Sequence, residues 1–134
     1  MIKNILFLAI LSFTSITHAE QLSSFNSKNV AFPEVLFVSN EKAITVLAAK
    51  PSYPMKAAQD HICGSVIVGV LIGLDGKVAD TKVIHSSNSE ILDGAAVFTA
   101  KKNIYKKLFI EQEGIKYQTE VAYNFSYPNP SECK

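Results

Sequence analysis

His61 and Cys63 stand two residues apart, and His85 lies on the far side of an expected hairpin. Two imidazoles and a thiol are ligand types for zinc. A tetrahedral zinc site takes three or four donors, however, and no fourth partner is in view. The same trio contains a Cys–His pair of the kind that activates a thiolate nucleophile. Cys63 falls where a strand is expected to begin, and an exported cysteine is more often oxidised than catalytic. The trio is therefore expected to carry neither metal nor catalysis. Ser86 and Ser87 are explained by helix capping. Asp80, Glu90 and Asp93 fall on turns and helix starts, where the helix dipole favours acids. Paired carboxylates, a phosphate-cradling glycine loop and a cofactor fingerprint do not stand out. The chain is not expected to be an enzyme or to need a cofactor.

The compartment follows from the N-terminus. Lys3, then Ile5-Leu6-Phe7-Leu8-Ala9-Ile10-Leu11, then Thr17-His18-Ala19 has the order of a cleaved signal peptide. Ser12, Thr14, Ser15 and Thr17 interrupt the apolar run. It is too short for a span, which takes about 20 apolar residues. Cleavage after Ala19 would leave about 115 residues, one domain with a single core and no membrane span. All thirteen basic residues are lysines, against twelve acids. A nearly neutral chain without arginine argues against a nucleic-acid partner. Lys101, Lys102, Lys106 and Lys107 form a local basic cluster, read as a helix C-terminus and its exit loop. The two cysteines, Cys63 and Cys133, are an even count in an oxidising compartment, which suggests a disulfide. If the strands beside them ran parallel, their ends would be opposite and the tail too short to return, so the sequence leaves the bond open.

The elements that would position these residues can be read from the pattern. Residues 20–29 are a polar tail. Residues 35–38 and 44–48 are short apolar runs that fit a hairpin or a strand followed by a helix, and periodicity does not choose between them. Pro54 suits a helix start, with residues 55–61 forming about two turns. Residues 65–72 are almost wholly apolar, as a strand covered on both faces would be. Gly69 leaves room there for a neighbour to lie close. Gly73-Leu74-Asp75-Gly76 turns the chain and residues 77–85 return it. Ser87-Asn88-Ser89-Glu90 matches a capping box, with Ser87 as the cap and Glu90 reaching back. In the helix that follows, Ile91, Leu92, Ala95, Ala96, Phe98, Thr99 and Lys102 keep helical spacing, so that one face is apolar. Gly94 within it suggests a close crossing over the sheet. Residues 115–127 alternate for thirteen positions, with Ile115, Tyr117, Thr119, Val121, Tyr123, Phe125 and Tyr127 on one face.

Pro51-Ser52-Tyr53-Pro54, Ala57-Ala58, Gly64-Ser65-Val66, Asp75-Gly76-Lys77-Val78, Ser86-Ser87 and Leu92-Asp93-Gly94-Ala95-Ala96 occur in that order. No single piece is specific, but the ordered set resembles the C-terminal domain of the TonB family, which couples the bacterial inner membrane to outer-membrane transporters. The resemblance implies an α+β fold: an antiparallel sheet of three or more strands with two helices on one face. With the signal peptide (1–19) read from the N-terminus, the chain divides further into an N-terminal segment with a strand candidate (20–49), the domain that carries the resemblance (50–127) and a tail (128–134). The resemblance also implies a periplasmic module that binds an extended segment of an outer-membrane transporter, or another envelope protein, by strand addition. The expected edge is the strand over residues 116–125, with Lys116, Gln118, Glu120, Ala122 and Asn124 as its outward residues. The aromatic and proline pattern expected after the second helix is blurred in residues 103–109. A long proline-rich spacer and a retained anchor are not visible, so this chain is not expected to transmit force by itself. The alternative is a structural envelope protein acting by self-association, as a homodimer, or by cell-wall contact.

Overall fold

A strand with apolar side chains on both pleat faces must be covered on both sides, and this places it at the centre of a sheet. A computed structural model describes residues 31–134. The signal peptide and polar tail expected before residue 31 lie outside the described residues. The apolar strand is β2 (Gly64–Ile72), preceded by β1 (Thr45–Leu47) and helix α1 (Met55–Gln59). It is followed by β3 (Val78–His85), helix α2 (Glu90–Ala100), β4 (Ile104–Tyr105), β5 (Leu108–Ile110), β6 (Glu113–Ile115) and β7 (Tyr117–Phe125). The main sheet has the order β3-β2-β7, and β2 is antiparallel to both neighbours. The architecture is the expected α+β one.

One face of the sheet carries the core. Val66, Val68, Val70 and Ile72 are fully buried, and opposite them stand Tyr123, Val121, Thr119 and Tyr117 of β7. Leu92, Ala96 and Ala100 of α2 pack onto this face. The α1 end joins the same core through buried Ala57 and through Tyr53, whose ring centroid lies 5.9 Å from that of Phe125. The β2–β3 turn requires its glycine twice over. Gly76 has φ 82°, and a Cβ there would lie 2.4 Å from the Tyr105 carbonyl oxygen. That approach exists because Tyr105 N donates to Gly76 O at 2.8 Å.

Four local expectations change. The alternating run 115–127 is not one strand. It breaks at Lys116, because β6 folds back on β5 around Glu111 and Gln112, both at positive φ, while β7 returns to β2. The alternation is continuous because both pieces are extended; only their partners differ. Lys106 and Lys107 fall between β4 and β5 rather than in a helix exit loop. Lys101 caps α2, and Lys102 places its Nζ 3.9 Å from the centroid of the Phe98 ring. The open choice over residues 35–48 resolves into two short extended pieces joined by a turn at residues 40–42, and they pair with different strands: β1 pairs with β4, and Phe37 bridges to Gln118.

The capping box does not form. The α2 N-cap is Ser89, and its side chain makes no cap bond. Asp93 organises this connection from inside the helix. It accepts from Ser86 Oγ at 2.5 Å, Ser87 N at 2.9 Å and Ser87 Oγ at 2.7 Å. A carboxylate one turn in can gather three donors, whereas a serine cap satisfies one. Burial acts to raise the Asp93 carboxyl, but these hydrogen bonds and nearby His85 outweigh it and hold the group below its usual value. Gly94 is not at a close crossing, since a Cβ there would meet nothing within 4 Å.

Gly94→Ala should therefore stabilise the fold by about 0.5–1 kcal/mol, because it removes backbone freedom at no steric cost. A depressed carboxylate contributes stability above its unfolded pKa that is lost as pH falls through its folded one. Asp93→Asn should lower stability at neutral pH by about 1–2 kcal/mol. It should also flatten the loss of stability as the pH drops below 3.8. Denaturant melts across pH measure both.

Candidate functional site: the free edge of β7

Side-chain and backbone directions on β7 must be separated. The odd residues face α2: Tyr117, Thr119, Tyr123 and Phe125 are buried. The even residues Gln118, Glu120, Ala122 and Asn124 point to the other face of the sheet. In an antiparallel ladder, alternate residues turn both backbone groups to the same neighbour. Gln118 N donates to Leu36 O, and Gln118 O accepts from Val38 N, each at 2.8 Å. The even residues of β7 thus present N–H and C=O away from β2, on the outer edge. The register against β2 is unbroken from Tyr117 to Phe125, so the alternation holds along the strand. Among the described residues, the outward backbone groups of Glu120, Ala122 and Asn124 find no hydrogen-bond partner.

Beside this edge lies a groove of about 330 Å³. Residues 121–124 form one wall and residues 48–51 the other, with Asn103 and Tyr105 between them. The far wall is held by a buried amide. Asn103 is 4% exposed. Its Oδ1 accepts from Ala49 N at 2.8 Å, and its Nδ2 donates to the hydroxyls of Tyr105 and Tyr123, both at 3.2 Å. Burial pushes both phenols up from their usual value, while the Asn103 hydrogen bond acts in the opposite direction. They are neutral at physiological pH. Among the described residues, Lys50 is the one charged residue lining the groove.

The expected edge residues do not share one environment. Ala122 and Asn124 are exposed, and Asn124 Oδ1 accepts from Ser65 Oγ at 3.1 Å. Glu120 is half-buried, and Lys116 is exposed at the break between β6 and β7. Gln118 corrects the sequence reading, because it is no wet outward residue but 1% exposed. Its side chain accepts from Phe32 N at 3.0 Å and donates to Val35 O at 2.6 Å and to Phe32 O. Residues 31–38 lie over it.

The other candidates disperse. Cys63 is bonded to Cys133 with Cα atoms 5.4 Å apart, and so has no thiol to offer as nucleophile or ligand. The strands beside these cysteines run antiparallel, with Gly64 opposite Phe125, so the tail needs no long return. His61 stacks on Tyr127 at 4.8 Å between centroids and lies 3.1 Å from Glu132 O. His85 sits on β3 opposite Ile67. Among the described residues no group of three His, Cys, Asp or Glu could hold a metal ion. No helix of the described residues is long and apolar enough to cross a membrane.

Residues 49–127 match the family described as the Gram-negative bacterial TonB protein C-terminal. The chain belongs to the TonB C-terminal family. Protein TonB from one strain of Helicobacter pylori is 35% identical over 91 residues, covering 65% of this chain and 31% of that protein. The same protein from a second strain is 40% identical over 67 residues, covering 48% and 24%. This chain therefore spans about a third of the length of these relatives or less. The solution structure of the Pseudomonas aeruginosa TonB C-terminal domain shares the fold. Its TM-score is 0.57 at 20% identity, with 71% of this chain and 96% of that one covered. Residues 31–38, which cover Gln118, precede the stretch matched to the TonB family.

Sequence reasoning did not find Asn103, the residue that ties the groove wall to the sheet. An asparagine just past a helix reads as a solvated exit, and its partners lie 54 and 20 residues away. Asn103→Leu keeps the volume but strands the Ala49 N–H. It should cost about 2–3 kcal/mol in denaturant melts. It should also speed hydrogen exchange at Ala49 more than at residues of β2. Equal acceleration at both would mean that Asn103 supports the whole core rather than the groove wall.

Proposed function

We propose that this chain is a TonB-type binding module of the periplasm. In this reading it is exported by cleavage of residues 1–19, and it captures an extended segment of an outer-membrane transporter or another envelope protein as a strand added to β7. The observation that carries the proposal is the row of outward N–H and C=O groups on Glu120, Ala122 and Asn124, unpartnered among the described residues, with Ala122 and Asn124 lining a groove. Backbone pairing supplies affinity with little regard to side chains, at about 0.5–1.5 kcal/mol net per hydrogen bond. Selectivity comes from what the groove walls accept. Ala48, Ala49, Pro51 and Asn103 favour an entrant with small side chains turned toward them, and Lys50 favours an acidic one at its own position. The proposal needs no cofactor and assigns no catalytic step. Membership in the TonB C-terminal family supports a role in transport. Coupling to an energised inner membrane is not assigned to this chain.

The test uses synthetic peptides copied from extended, periplasm-facing segments of outer-membrane transporters of the same organism. Binding should shift the backbone amide resonances of residues 120–124 more than those of β3. Ala122→Pro removes one outward N–H and leaves charge unchanged, at an edge position where proline is tolerated. It should weaken peptide binding at least about tenfold, as expected when central pairing of an added strand is lost. Ala122→Ser should bind as the unaltered protein does. A proline variant with a native circular dichroism spectrum and a cooperative melt that still binds normally would sink the proposal. If instead the edge mediates concentration-dependent dimerisation that the proline change removes, the module acts by self-association.

A further inference from the structure

The β7 edge is not wholly open, and what closes part of it is the chain itself. Residues 31–35 cross the sheet face opposite α2, and residues 36–38 pass over its edge beside Gln118, running parallel to β7. The crossing has a built seat. Gly69 lies under Ala31 so closely that a Cβ there would stand 2.5 Å from the Ala31 Cβ. Lys82 Nζ donates to Ala31 O at 2.8 Å and lies 4.8 Å from the centroid of the Phe32 ring. Gln118 holds the crossing from below through its bonds to Phe32 and Val35. After Val38 the chain turns away, with Lys42 N and Ala43 N both donating to Ser39 O. The groove begins there, with Asn40 in its lining.

The part of this segment that occupies the edge is thinly held. Four outward residues of β7, from Gln118 to Asn124, offer four N–H and four C=O groups. The segment takes one of each, at Gln118. Its pairing is an isolated bridge rather than a ladder. Leu36 and Phe37 remain 43% and 38% exposed, and of residues 36–38 only Val38 packs, partly buried, against the core. A strand laid along the whole edge would make more backbone bonds than the segment makes. It would also collide with residues 36–38 as soon as it reached Gln118.

We propose that residues 31–38 are a detachable strap that competes in cis for the β7 edge, with the Gln118 side chain as its latch, and that an incoming strand displaces it. The proposal rests on the strand-addition reading and adds its regulation. A site occupied by its own chain for nine-tenths of the time binds a partner about tenfold more weakly than the freed site. Loosening the latch should then raise affinity, the reverse of what damage to a binding site does.

Two variants and one exchange measurement on the full chain test this with the same transporter peptides. In the free protein the Val38 amide should exchange at least about tenfold faster than the Val121 amide, which faces β2, because local opening costs less than global unfolding. Peptide binding should leave Val38 unprotected while slowing exchange at Gln118. Gln118→Ala removes the latch from one strand, and Gly69→Ala unseats Ala31 from another. Each should tighten peptide binding up to about tenfold. Val38 exchanging as slowly as Val121, or staying protected in the peptide complex, would overturn the strap as a detachable competitor. Affinity unchanged or reduced in both folded variants would overturn it as well. Fast Val38 exchange with no peptide bound by the unaltered protein or either variant would overturn the transporter reading and leave the detachable strap standing.

Discussion

The main sheet and the helix on it lean on one central strand, β2, whose side chains are apolar on both faces from Val66 to Ile72. Val66, Val68, Val70 and Ile72 are wholly buried on one side of β2, and Ile67, Gly69 and Leu71 occupy the other. Each large aliphatic side chain among the four contributes about 1.5–3 kcal/mol by leaving water. That gain is available only if β2 is flanked on both edges and covered on both faces. The edges are taken by β3 and β7, and α2 covers the first face with the α1 end completing it. Among the described residues no helix covers the second face. There the cover is the crossing of residues 31–35, which fits because Gly69 presents no side chain to it.

This division of labour shapes the functional edge. A helix that covers a sheet satisfies its own backbone and leaves the sheet edges alone. An extended cover has backbone groups to place, and residues 36–38 place two of theirs on Gln118. The same segment that shields the sheet therefore reaches its edge. An exposed edge strand invites unwanted pairing, and covering part of it limits that hazard. Among the described residues, what remains free is the stretch from Glu120 to Asn124, bounded by the groove wall that Asn103 fastens to the sheet. Protection of the strand and access to it are set by adjacent residues of one edge.

The tail shows the same economy of placement. Antiparallel pairing brings Phe125 beside Gly64, so the last residues arrive at the α1 end of the sheet. Tyr127 donates to Ala58 O and stacks on His61, Lys134 N donates to His61 O, and Cys133 meets Cys63. His61 and Cys63 are spaced as metal ligands or a nucleophile pair would be. Their neighbours turn them into anchors for the C-terminus.

Patterns local to the chain were legible in the sequence. The unbroken apolarity of residues 65–72, the Asp75-Gly76 turn and the alternation through Tyr117, Tyr123 and Phe125 are each carried by consecutive residues. Together with the order of short motifs they determined the α+β fold and pointed to the TonB family and its last strand. Contacts between distant segments decided the rest. Alternation puts Gln118 on the wet face, and nothing near it in sequence reports that residues 86 positions earlier lie across it. Ser87 and Glu90 satisfy the spacing of a capping box, yet Asp93 outbids them because the β3–α2 connection folds back within reach of its carboxylate. Asn103 reads as a solvated exit until Ala49, Tyr105 and Tyr123 close around it. Periodicity records which face of its own element a side chain occupies. Which segment then arrives to cover that face is settled only when the whole chain has found its lowest free energy.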